Sequence, residues 1–158
     1  MSSYKILLFS LIISIISLLA AFIAQYGFAL APCELCLFQR VPYALVIFLA
    51  ALGLKKPAWQ KIIINLIMLV FLSGGLLAAY HAGVEKHLLP GPTACTSSPS
   101  SGDLSIDDLR KRIMNAPVIA CDEPQWEFHG ITMAALNSLW SFILVYAIFY
   151  AKGKKKHA

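Results

Sequence analysis

Residues 32–54 read Pro-Cys-Glu-Leu-Cys-Leu-Phe-Gln-Arg-Val-Pro-Tyr-Ala-Leu-Val-Ile-Phe-Leu-Ala-Ala-Leu-Gly-Leu. The apolar part, from Val41 onward, is too short alone for a membrane span, which takes about 20 residues. Carrying the helix back to Cys33 makes up the length. A Cys-x-x-Cys then lies at one water–lipid interface, with Arg40 just inside it. Pro32 suits the first position of such a helix and Glu34 its first turn. The thiols of Cys33 and Cys36 would sit at the positive end of the helix dipole, which favours thiolate. Cys36 and Arg40 are four apart and share a helical face. Pro42, inside the span, predicts a kink or loosened first turns.

The rest of the chain repeats the pattern. Of 158 residues, 59% are hydrophobic and 13% charged, against about 25% charged in soluble domains. Apolar stretches at 6–26, 62–80 and 131–151 join 33–54 to make four spans. The expected fold is an all-α membrane protein: one domain over 1–158, a four-transmembrane-helix bundle in a lipid bilayer, with a long extracytoplasmic loop at 81–130. The opening segment approaches a signal peptide around Ala29-Leu30-Ala31. Its apolar run exceeds the 7–15 residues of a signal core, so it is read as a retained first helix. Glycines at 74 and 75 predict close helix contact.

Charge gives the orientation. Lys5, Lys55, Lys56, Lys61, Lys152, Lys154, Lys155 and Lys156 fall on the side of the termini, which marks that side as cytoplasmic. All eight acids and all four cysteines fall on the other side, where disulfides form and persist. The net charge of +5 is sorted by segment rather than gathered in a patch, which excludes nucleic acid as the partner.

The loop carries Pro90-Gly91-Pro92, then Cys95, then a Ser- and Pro-rich tract that lets this cysteine travel. Residues 104–115 form a short amphipathic pattern, with Ser105 and Asp108 as a capping pair. Cys121 leads into the last span. No internal repeat or sheet pattern is visible. His81 and His87 fall near the extracytoplasmic boundary. His87 reads as a solvated interfacial side chain, and His81 as a candidate hydrogen-bond donor to a quinone carbonyl.

Three chemistries compete for the cysteines. A four-cysteine zinc site needs two closely spaced pairs, and Cys95 and Cys121 are 26 apart. A structural four-helix protein with stapling disulfides and no redox turnover accounts for Cys95 and Cys121. It leaves Cys33–Cys36, which would close almost no loop. A thiol–disulfide relay uses both pairs, one at the membrane and one on a mobile arm. A relay needs an electron acceptor, and no Rossmann glycine pattern or Cys-x-x-Cys-His is present. A lipid-soluble quinone needs only an apolar slot, a donor and a cation, which Arg40 and His81 supply next to Cys36.

Pro32-Cys33-x-x-Cys36 with Gln39-Arg40, Tyr80-His81, Pro92-Thr93-Ala94-Cys95 and Cys121-Asp-Glu-Pro-Gln-Trp126-Glu-Phe-x-Gly130 follow in one order along nearly the whole chain. In this the chain resembles DsbB, the disulfide bond formation protein B family of the bacterial inner membrane. The resemblance implies an enzyme, a protein-disulfide:quinone oxidoreductase. It would reoxidise a periplasmic DsbA-like thiol oxidase and pass electrons to ubiquinone or menaquinone. It implies that Cys95 forms the mixed disulfide with that partner and that Cys121 pairs with Cys95. Cys33 exchanges with the loop pair, and Cys36 faces the quinone beside Arg40. Vitamin K epoxide reductase-like proteins use a similar bundle, but their Cys-x-x-Cys comes late in the chain. The orientation has a direct check: after reduction, a membrane-impermeant thiol reagent added outside intact cells should label Cys95. Labelling only from the inner face would reverse the topology.

Overall fold

A computed structural model describes residues 2–92 and 120–153. The sequence-predicted loop helix at 104–115 and Cys95 lie outside the described residues. The elements are α1 (Ser3–Phe22), running on into a π-helical turn at Ile23–Gly27, then α2 (Glu34–Phe38) and α3 (Arg40–Lys55). A 3₁₀ turn at Pro57–Trp59 leads into α4 (Gln60–Glu85). A small hairpin, β1 (Glu127–Phe128) and β2 (Ile131–Thr132), precedes α5 (Met133–Gly153). Among the described residues four stretches, Ser3–Gly27, Glu34–Lys55, Pro57–Glu85 and Met133–Gly153, are long and apolar enough to cross a membrane. The chain is a four-span bundle, as its hydropathy predicts.

Packing is unequal around the bundle. α4 packs against α5 and α3, and α1 packs against α3, while α1 and α5 make little contact. The core runs through Leu7, Val46, Ile67, Phe71, Leu144 and Ile148. Ile16, Leu19, Phe48, Leu69, Tyr146 and Phe149 point outward, as lipid-facing residues do. Between helices in lipid there is no hydrophobic drive to association, so close packing and hydrogen bonds carry it. Small residues set the approaches here. A Cβ on Gly74 would meet Pro42 Cβ at 3.0 Å, and one on Gly75 would meet Ser141 Cβ at 3.1 Å. Ser138 Oγ donates to the Gly75 carbonyl at 3.0 Å.

Pro42 acts as its position predicts. It has no N–H to donate to residue 38 and its ring crowds that carbonyl. The helix is interrupted at Gln39, between α2 and α3. At the start of this span the expected first helical position, Pro32, is off by two: the helix begins at Glu34. Cys33 is the N-cap, with φ −73° and ψ 172°, and its sulfur accepts from the Cys36 N–H at 3.2 Å. The sulfur fills the place that a Ser or Asp oxygen usually takes.

α4 runs past the apolar limit at residue 80 to Glu85. Hydropathy marks only the lipid-crossing part, whereas the helix continues to its cap. That cap is a Schellman arrangement. His87 takes the left-handed conformation (φ 55°), its N–H bonds to the Val84 carbonyl at 2.9 Å, and the Leu88 N–H bonds to Gly83 at 2.9 Å. His87 is exposed. The hairpin was invisible to periodicity because each strand is two residues long, too short for alternation to register. Its turn, His129-Gly130, has both φ values positive, 50° and 81°, as a type I′ turn requires. Thr132 Oγ1 then accepts from the Ala135 N–H at 3.2 Å and starts α5.

Gly74→Ala should destabilise the bundle by about 1–3 kcal/mol, because the rigid Pro42 ring cannot give way. Gly153→Ala, with nothing within 4 Å of the added carbon, should be silent. Thermal unfolding in detergent measures both.

Candidate functional site

The N-terminal end of α2 meets the last turns of α4 and the segment before the hairpin. Cys33, Leu35 and Cys121 form a small buried cluster there, with Cys36 and Tyr80 packed against it. Cys33 and Cys36 stand as two thiols, Sγ to Sγ 3.0 Å, with Cys33 as the donor. Cys121 is 1% exposed. Three of the four sequence-predicted cysteines are therefore gathered in one place.

The two thiols of the pair differ. Helix-dipole reasoning alone predicts a lowered pKa for both. Cys33 instead is pushed up to about 12, first because its S–H is engaged by the Cys36 sulfur and second because it is buried. The bond from the Cys36 backbone and the contact with His81 act the other way but are weaker. The pair divides along the helix axis: Cys33 caps the helix and faces the protein, while Cys36 is half-exposed.

A cleft of about 430 Å³ opens where α1 and α5 fail to close on each other. Cys36 and Arg40 line it together with Ile13, Ala24, Met133 and Trp140. Gln39, Tyr43 and Asn137 contribute polar edges. Arg40 and Cys36 share this wall although the helix is interrupted between them. The arginine is tied to α1: Nη1 donates to Gln25 Oε1 at 2.6 Å, and the guanidinium lies 5.1 Å from the Phe22 ring centroid. Gln25 sits in the π-helical turn, a device frequent at functional sites. With five N–H groups, the guanidinium keeps donors to offer the cleft.

His81, read from the sequence as a candidate hydrogen-bond donor to a quinone carbonyl, is buried beside the dithiol. It is 1% exposed and does not line the cleft. Its Nε2 lies 3.5 Å from Cys33 Sγ and 3.7 Å from Glu85 Oε1. The reason is the extra helical length of α4, which holds His81 inside the bundle one turn before Glu85. A buried polar chain leads away from it. Gln39 Nε2 meets His81 Nδ1 at 2.6 Å, Asn137 Nδ2 donates to Gln39 Oε1 at 2.6 Å, and Tyr43 OH donates to Asn137 Oδ1 at 2.6 Å. With the amides so oriented, Nδ1 accepts and Nε2 carries the hydrogen toward Cys33. Gln25, Tyr43, Glu85 and Asn137 were missed by sequence reasoning. The available signal was polarity within or beside otherwise apolar spans, which is expensive in lipid and marks function.

The fold and site define a multi-pass membrane protein built around a buried cysteine cluster beside an apolar cleft. The family model described as "Disulfide bond formation protein DsbB" matches residues 3–151. An uncharacterized protein of Rickettsia prowazekii (strain Madrid E) is 33% identical over 160 residues, covering 96% of this chain and 92% of that protein. Disulfide bond formation protein B of Mannheimia succiniciproducens is 31% identical over 137 residues, covering 84% of this chain and 72% of its own. The protein of the same name from Shewanella frigidimarina is 29% identical, with 90% of each chain covered. The chain belongs to the DsbB family, and its role lies in disulfide bond formation.

Because the Cys36 sulfur is the main group holding the Cys33 proton, Cys36→Ala should lower the Cys33 pKa. At pH 8, below that pKa, the thiolate fraction is what limits alkylation. Cys33 in the reduced protein should therefore react slowly with iodoacetamide, and several-fold faster in Cys36→Ala, as read by mass spectrometry. An unchanged rate would show that burial alone holds the proton.

Proposed function

We propose that this protein reoxidises a DsbA-like periplasmic thiol oxidase by thiol–disulfide exchange and passes the electrons to a membrane quinone, ubiquinone or menaquinone. The single observation that carries this reading is the division of the dithiol. Cys36 lines the apolar cleft with Arg40, while Cys33 lies behind it in the cluster with Cys121. The reading also takes 1–158 as one membrane domain with cytoplasmic termini and periplasmic cysteines, in the bacterial inner membrane.

The exchange steps follow from that division. The partner's thiolate attacks Cys95 of a Cys95–Cys121 disulfide, and Cys121 leaves as a thiolate. The partner's second cysteine resolves the mixed disulfide, so the partner leaves oxidised and Cys95 is freed. Cys121 attacks Cys33 of a Cys33–Cys36 disulfide, and Cys36 leaves as a thiolate on the cleft wall. Cys95 then attacks Cys121, restoring the loop disulfide and releasing Cys33. The Cys33–Cys36 dithiol now holds two electrons and two protons, which it gives up when its disulfide re-forms.

The cleft fits a quinone. Its volume lies in the range of small-molecule sites, about 300–1,000 Å³. Trp140, Met133 and Ile13 offer apolar walls, and Arg40 offers a fixed positive charge. A quinone bound there supplies the two-electron, two-proton acceptor. Arg40 holds the Cys36 thiolate and orients a carbonyl oxygen by charge-assisted hydrogen bonds, each worth about 1.5–3 kcal/mol. The polar chain from Tyr43 to His81 fixes the imidazole against Cys33.

Quinone reduction by the purified protein, with a reduced DsbA-like donor, tests the whole. Cys33→Ser or Cys36→Ser should abolish it. Unchanged partner oxidation would favour cysteines that only staple the fold. Arg40→Lys keeps the charge but loses the fork, so it should raise the apparent quinone KM and leave partial turnover. Arg40→Ala should be worse, with the mixed disulfide at Cys95 still formed. Normal rate and KM in Arg40→Ala would reduce Arg40 to an interfacial anchor.

A further inference from the structure

Behind the cleft wall, three metal-ligating atoms converge. Cys33 Sγ, Cys36 Sγ and His81 Nε2 all lie within 4.8 Å of one another. The sulfur–sulfur separation is 3.0 Å, and the separation from Cys33 Sγ to Nε2 is 3.5 Å. Zinc–sulfur bonds of about 2.3 Å and zinc–nitrogen bonds of about 2.0–2.1 Å, set tetrahedrally, place ligand pairs about 3.5–3.8 Å apart. The sulfur–nitrogen edge matches as it stands. The sulfur–sulfur edge must open by about 0.8 Å, a motion open to half-exposed Cys36 once the S–H bond between the thiols is gone.

The surroundings support the set. Glu85, one turn after His81, has Oε1 3.7 Å from Nε2, while its buried Oε2 has no hydrogen-bond partner among the described residues. That carboxylate stands ready for the fourth corner. A metal-ligating histidine is usually fixed through its other ring nitrogen by an outer partner. Here Nδ1 lies 2.6 Å from the Gln39 amide, which is itself braced by Asn137. With Nε2 on an ion, Nδ1 carries the hydrogen, and the Gln39 and Asn137 amides turn over together to present an oxygen to it. Two thiolates and an imidazole select zinc or cadmium over hard cations.

We propose that the reduced Cys33–Cys36 dithiol, with His81 and Glu85, is a redox-gated zinc site. It shares only two residues with the four-cysteine site weighed from spacing. Binding exchanges two thiol protons for one divalent ion, with no change of oxidation state. A Cys33–Cys36 disulfide has no thiolate to offer and does not bind. The consequence for turnover rests on the proposed function: an ion on both sulfurs prevents the disulfide from re-forming and arrests the enzyme with its electrons retained.

The direct test is a cadmium titration of the full chain carrying Cys95→Ser and Cys121→Ser, reduced with a phosphine, in detergent and without oxygen. The thiolate-to-cadmium ultraviolet band should saturate at one ion per chain, release two protons, and be displaced by zinc. It should be absent once the Cys33–Cys36 disulfide is formed, and absent in Cys36→Ala. His81→Gln should weaken binding at least about tenfold, and Glu85→Gln several-fold. Since His81 is buried, the unfolding temperature of His81→Gln is measured alongside. An equal band in the oxidised chain, or unchanged affinity in both His81→Gln and Glu85→Gln, overturns the site. Zinc inhibition of thiol-to-quinone transfer is read separately. If zinc binds as stated yet turnover continues, the assigned role of the dithiol fails while the ion site stands.

Discussion

The contact between the Gln39 amide and His81 Nδ1, 2.6 Å long, joins the second span to the third at the level of the dithiol. Nearly everything at the site depends on it. A polar group inside a lipid-embedded bundle must find its partner within the protein, because no water competes for it and leaving it unpaired costs several kcal/mol. Gln39 meets that demand twice, toward His81 and toward Asn137. The imidazole is thereby held beside Cys33, and α5 is drawn to the same level. The interruption at Pro42 belongs to the same arrangement. It leaves Gln39 at the junction of two helical segments rather than in an unbroken helix, and Gly74 makes room for the proline ring.

A second consequence is that the two sulfurs of one short motif have separate surroundings. Cys33 is a cap, buried against Cys121 and His81. Cys36 lies one turn on, at the edge of the cleft that Arg40 also lines. On the proposed function, this asymmetry lets one sulfur face the exchange that brings the partner protein's electrons and the other face the cleft. The span that carries the dithiol does not do this alone. Gln25 from the π-helical turn of α1 and Asn137 from α5 supply the remaining polar contacts.

The bundle was legible in the sequence because lipid imposes a simple rule: about 20 apolar residues per crossing. Charge and cysteine placement agreed with it. The Cys-x-x-Cys, Arg40 and the kink at Pro42 could be read from spacing and ring chemistry. His81 could be singled out but not aimed. Its direction depends on α4 continuing to a Schellman cap formed by His87, an unusual residue for that place. The roles of Gln25, Glu85 and Asn137 depend on which helices touch, and no periodicity within one span encodes that. The hairpin before α5 was missed because two-residue strands have no pattern to read.

The cleft lies along the seam between α1 and α5, the first and last spans of the chain. Of its two walls, the α1 side is synthesised before the α5 side. While the first three helices are entering the bilayer, Cys36 and Arg40 have only one wall beside them, and Asn137 and Trp140 have not yet emerged. The cleft is complete only once α5 has packed against the rest of the bundle, so on the proposed function a nascent chain would carry Cys33 and Cys36 for some time without a finished acceptor site.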